Sequence, residues 1–146
     1  MKLIQRNRDA AYLQYDKYVD FDNPMVMEKA MDLTKNCRSV YEKIETIYYF
    51  VRDEIDHTWD AKDSTITISA SDVLEKKTGI SYSKANLLAA LMRANGIYTG
   101  FCYQRIKRFT YDNKLALHAL NAVFEPDVKK WIRLDARGNN YQFQAD

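Results

Sequence analysis

The segment Ser81–Asn95, reading SYSKANLLAALMRAN, constrains this chain most. Ala85, Leu87, Leu88, Ala89, Ala90, Leu91 and Met92 make it apolar nearly all round. A helix with no broad polar face must be covered on most sides by other elements, so it is expected at the centre of the fold. Gly96 is placed to end it as the left-handed residue after the last turn. The remaining chain has to supply the cover.

Two helices upstream can do so. Asn23-Pro24 reads as an N-cap followed by proline at the first helical position, with Val26, Ala30, Leu33 and Cys37 recurring at helical spacing. Ser39 and Glu42 form an S-x-x-E capping box. Val40, Ile44, Ile47, Val51 and Ile55 follow at steps of three and four, the strongest helical signal in the sequence. Residues 57–68 read as a loop with a short alternating end, Thr65-Ile66-Thr67-Ile68. A short helix over about 70–77 starts at the capping pair Ser69 and Asp72 and is expected to stop near Gly79.

Beyond Gly96 the pattern turns to strand. Tyr98–Arg108 is rich in aromatic and β-branched residues, Asp112-Asn113 marks a turn, and Leu115–Glu125 is apolar on both faces. A turn at Glu125-Pro126-Asp127 leads to a third strand, Lys130–Ala136. Sequential strands on short turns make an antiparallel meander. Helices first and sheet second define an α+β chain, with the apolar helix packed on the sheet. Its 146 residues are one domain's worth, so residues 1–146 are read as a single unit with one core.

Composition excludes some classes. A net charge of +2 is too small to argue for nucleic acid. The basic groups Arg105, Lys107, Arg108 and Lys129, Lys130, Arg133 read as solvated strand ends and a hairpin tip. No window approaches the roughly 18 apolar residues of a membrane span, and the N-terminus carries no signal-peptide pattern. Cys37 and Cys102 have neither metal-site nor disulfide-framework spacing, which suggests a reducing, cytoplasmic setting. Eleven tyrosines place polar-tipped aromatics near a surface or cleft. Neither a cofactor nor a metal is expected.

The chemistry concentrates in three places. With the second hairpin centred between Pro126 and Asp127, His118 and Asp135 stand directly opposite one another, Cβ atoms roughly 4.5–5.5 Å apart. A carboxylate beside an imidazole fixes its tautomer and stabilises its protonated form. Singly, each has an ordinary alternative: a core histidine bonded to backbone, and a strand-end acid capping a turn. A nucleophile would approach the imidazole's other side, and the start of the apolar helix, at Gly79-Ile80-Ser81-Tyr82, suits it. Exposed N–H groups and the helix dipole favour an anion there.

These blocks resemble the transglutaminase-like superfamily, which shares the papain-type architecture. The likeness lies in Gly79–Tyr82, Leu87–Ile97, Leu117–Val123 and Trp131–Ala136, and covers about residues 39–140. It implies a catalytic cysteine at the helix start, a histidine on a following strand and an aspartate on the next. Here these positions hold Ser81, His118 and Asp135. It also implies an upstream oxyanion donor, for which Trp59 is the candidate, with Tyr82 beside the nucleophile. The implied activity is thiol acyl transfer on a peptide or protein amide: hydrolysis, deamidation or transamidation.

Serine departs from that pattern. A Cys–His pair can exist as thiolate–imidazolium before substrate arrives, whereas serine must lose its proton during attack. Ser81 is therefore expected to leave the chain inactive or weakly active. It is either a replacement introduced into an active cysteine enzyme, favoured by the survival of His118 and Asp135, or native to a pseudoenzyme or weak serine enzyme. As a bland alternative, serine is also a good N-cap. Ser81–Lys84 matches S-x-x-K, without the partner motifs of penicillin-recognising enzymes. Cys102, in mid-strand, reads as a buried hydrophobe, and Cys37 is weaker still as a nucleophile. Tyr103 and Gln104 are remote candidates for the oxyanion site, and His57 has no evident partner. The rival reading is a non-catalytic module that binds a peptide in a retained cleft, and nucleic-acid binding ranks last.

Overall fold

A computed structural model describes residues 9–107 and 114–138. A 3₁₀ turn at Asp9–Leu13 precedes helices α1 (Pro24–Thr34) and α2 (Val40–Glu54). Strand β1 (Asp56–His57), helix α3 (Ala70–Lys76) and strand β2 (Thr78–Gly79) lead into helix α4 (Ser81–Ala94). Strands β3 (Thr99–Lys107), β4 (Leu115–Glu125) and β5 (Lys130–Leu134) then form an antiparallel sheet in sequence order. The architecture is α+β, as the pattern predicts.

Helix α4 is the axis. Residues 87–92 are completely buried, packed against α1, α2, α3 and the sheet strands β3 and β4. Val26 and Ala30 of α1, Ile44, Ile47 and Val51 of α2, and Val123 of β4 belong to the same cluster. Each fully buried leucine or methionine contributes roughly 1.5–3 kcal/mol, so the apolar run stabilises the whole assembly. Asn121 of β4 locks helix to sheet, donating to Ala85 O of α4 at 3.2 Å and to Gly100 O of β3 at 3.3 Å. On β3–β5, Tyr12 lies 4.9 Å from Trp131, which meets Phe124 at 5.6 Å.

The helix ends follow their capping residues. Asn23 Oδ1 accepts from Met25 N, and Ser69 with Asp72 completes a capping box. Ser39 Oγ accepts from Glu42 N, but Glu42 reaches one residue beyond its box partner and accepts from Arg38 N at 2.7 Å. Gly96 has φ +72° and closes α4 as expected.

Several details differ from the sequence reading. Lys77, with φ 53°, is the left-handed residue ending α3 in place of Gly79. Gly79 instead pairs with His57 in a two-residue parallel bridge between β1 and β2. A Cβ there would lie 2.7 Å from Ser83 Oγ, so close approach, not turn geometry, requires glycine. Strand β5 ends at Leu134, leaving Asp135 and Ala136 just past the ladder. The expected turn at Asp112-Asn113 and Arg108 of the basic group lie outside the described residues.

Candidate active site

The second hairpin turns through residues 126–129, two residues later at its end than Pro126-Asp127 suggests. Lys129 takes a positive φ of 51°, and the buried Glu125 carboxylate accepts from Asp127 N and Val128 N. The register pairs Glu125 with Lys130 and Asn121 with Leu134. Continued past the strand end, it sets Asp135 across from Leu120 instead of His118. The offset is two residues, an even number, so the expected face is kept. The two side chains meet diagonally: His118 Nε2 lies 2.6 Å from Asp135 Oδ2.

This pair is sheltered and held. His118 is 4% and Asp135 13% exposed at the side chain. Asp135 Oδ1 accepts from Arg137 N at 3.0 Å, and Asp135 O accepts from the Tyr48 hydroxyl of α2 at 3.2 Å. A carboxylate only accepts, so Nε2 carries the shared hydrogen and Nδ1 is the ring's basic nitrogen. Across the β3–β4 ladder, Gln104 faces His118.

Ser81 is the first helical residue of α4, not its cap. The cap position belongs to Ile80, whose N–H donates to Ser83 Oγ at 3.0 Å. Ser83 in turn is approached by Thr67 Oγ1 at 3.1 Å, while Thr67 also donates to Thr78 O. This frees Ser81 from capping duty: among the described residues its hydroxyl has no hydrogen-bond partner. It stands half-buried at the positive end of the helix dipole.

A cleft of about 280 Å³ opens beside it, lined by residues 58, 59 and 63–67 together with Ile80 and Tyr82. Trp59 is 69% exposed there, its ring edge-on to His57 at 6.5 Å. Tyr103 is exposed on β3. Cys102 is half-buried and burial raises its thiol pKa, which suits the hydrophobe assigned from sequence. Both cysteines are free.

Two further groups were not legible as site residues. His57 of β1 is half-buried with its side chain largely covered, and that burial, reinforced by the Arg137 guanidinium, pushes its pKa down to about 4. Its Nδ1 has no hydrogen-bond partner among the described residues and lies 3.9 Å from Asp60 Oδ1. Arg137 bonds both carboxylate oxygens of Asp60, at 3.2 and 3.3 Å. Lys84, inside the apolar helix, is 1% exposed. Its place in S-x-x-K is the one signal that could have drawn attention to it.

A model of the transglutaminase-like superfamily core matches residues 28–136. The chain belongs to the transglutaminase-like superfamily. Among solved structures, a candidate cysteine protease from Cytophaga hutchinsonii is similar with a TM-score of 0.70 and 22% identity, over 88% of this chain and 42% of that one. The periplasmic domain of TgpA from Pseudomonas aeruginosa, bound to ethylmercury, is similar with a TM-score of 0.65 and 17% identity, over 88% and 48%. A structure described as a TGase is similar with a TM-score of 0.52 and 15% identity, over 97% and 36%. At these identities the likeness is one of fold, and this chain spans less than half of each of those proteins. No curated protein sequence matches it. Among the described residues, no helix is long and apolar enough to cross a membrane.

Proposed function

We propose that this transglutaminase-like chain is an acyl-transfer domain designed around a thiol at position 81, which Ser81 leaves inactive or weakly active. The observation that carries the reading is the sheltered 2.6 Å bond between His118 Nε2 and Asp135 Oδ2. In this reading Nδ1 takes the proton of a nucleophile at the start of α4. In that role a thiolate attacks the carbonyl of a peptide or protein amide, and the imidazolium then protonates the leaving amine. The acyl group departs to water or to an amine, giving hydrolysis or deamidation in one case and transamidation in the other.

The helix start supports the assignment. Its N–H groups and dipole would lower a thiol pKa from ~8.5 by one to several units, and the same groups stabilise an oxyanion. Tyr82 sits in that first turn, and Trp59 on the cleft wall has an indole N–H suited to be the second donor. The cleft is the expected seat of the substrate chain. Serine there keeps the fold but forfeits the preformed ion pair. Two free cysteines agree with a reducing, cytoplasmic setting.

The test is Ser81→Cys. Iodoacetamide at pH 6 should label residue 81 at least about tenfold faster than Cys37 or Cys102, because only this thiol gains an imidazolium and a helix terminus. Equal labelling of the three thiols would sink the reading and leave a peptide-binding module as the better description.

A further inference from the structure

Lys84 lies one turn into α4, buried to 1% exposure among leucines and alanines. Its ammonium donates to three main-chain carbonyls: Ile55 O at 2.6 Å, Arg52 O at 3.3 Å and Arg137 O at 3.3 Å. An ammonium has three hydrogens, so the set is complete. The first two acceptors belong to the C-terminal end of α2, where carbonyls lack helical partners and the dipole is negative. The third lies two residues after Asp135, in the turn whose Arg137 N–H holds the Asp135 carboxylate. Gly138 passes at φ +90°, and a Cβ on it would stand 3.2 Å from Arg52 O and 4.0 Å from Lys84 Nζ.

We propose that Lys84 is a positioning residue of the active site, clamping the Asp135–Gly138 turn to the first turns of α4 so that the acid stays aligned on His118. The inference depends on the geometry of the His118–Asp135 pair, and not on residue 81 being a nucleophile. The groups around the ammonium are the Arg137 guanidinium and the carboxylates of Asp53, Asp56 and Asp135. Burial pushes the Lys84 pKa down to about 8, so the ammonium is less favoured here than in water. An apolar side chain would avoid that cost but leave the three carbonyls without their donor, so the ammonium's role is to tie α2, α4 and the aspartate turn together. Nothing else described reaches α2, α4 and the aspartate turn with one atom.

The experiment follows the hydrogen between His118 and Asp135 in the protein as it stands, with Ser81 in place. A short bond from an imidazole N–H to a carboxylate gives a far-downfield proton resonance that exchanges slowly when sheltered. Lys84→Met should abolish that resonance or speed its exchange by about tenfold or more, while Lys84→Arg, which keeps a donor, should restore part of it. Gly138→Ala, which pushes the turn off Lys84 without removing the ammonium, should move it in the same direction. It decides the matter if Lys84→Met does not fold. A resonance unchanged in both Lys84→Met and Gly138→Ala, with only the melting temperature lowered, would overturn the proposal and leave Lys84 as a structural staple. Labelling of Ser81→Cys reports separately on the acyl-transfer reading, so either can fail without the other.

Discussion

Asp135 makes three separate commitments within one turn: Oδ2 to His118, Oδ1 to Arg137 N, and its carbonyl to Tyr48. Each fixes a different degree of freedom, so the acid arrives at the imidazole already oriented. Replacing it with asparagine keeps the shape but removes the charge that favours the imidazolium. In the Ser81→Cys background, Asp135→Asn should slow iodoacetamide labelling at pH 6 by roughly 10–100-fold. Labelling at pH 9, where the thiol ionises unaided, should change little. A uniform loss across pH would instead indicate a misplaced thiol. At this scale the sequence paired the two side chains but missed how they meet. His118 and Asp135 were found from their strand positions, yet they meet diagonally because the tip of the hairpin is longer than Pro126 suggests. Lys84 was hidden, since a charged residue in an apolar helix is ordinarily expected to reach solvent.

At the scale of elements, the start of α4 depends on a residue that makes no helix. Gly79 lets Ser83 fold back to cap Ile80 N, which in turn leaves Ser81 unengaged. Gly79→Ala would drive a methyl to 2.7 Å from Ser83 Oγ and 3.3 Å from Lys84 Cγ. We expect a loss of roughly 1–3 kcal/mol in urea unfolding, typical of overpacking. Adding Ser83→Ala should recover part of it, because the clash loses its partner; strict additivity of the two changes would contradict this account. The helices were legible because their caps and apolar steps agree. The β1–β2 bridge was not, because two residues carry no periodicity and parallel pairing over twenty residues leaves no local signature.

For the whole molecule, His57 ties stability to acidity. Its folded pKa of about 4 lies below the ordinary value of 6.5, so the native state binds fewer protons than the unfolded chain between those limits. The neutral ring's stabilisation is complete above about pH 6.5 and is lost as pH falls toward 4. Thermal melts of the native chain should therefore fall more steeply over that window than melts of His57→Phe, and parallel curves would refute the assignment. The α+β layout itself followed from one element: an all-round apolar helix leaves few ways to be covered, and the chain offered helices before it and strands after.

The hairpin tip sets the parity of the pairing that follows it. His118 and Asp135 share a side of the pleat only while the pairing of β4 with β5 keeps its parity, so a slip of that register by two residues would keep them on one face. A slip of the pairing by one residue would swing the aspartate through the sheet and strand the imidazole. The tip itself holds neither residue, yet the pairing it starts decides whether the imidazole and the carboxylate meet.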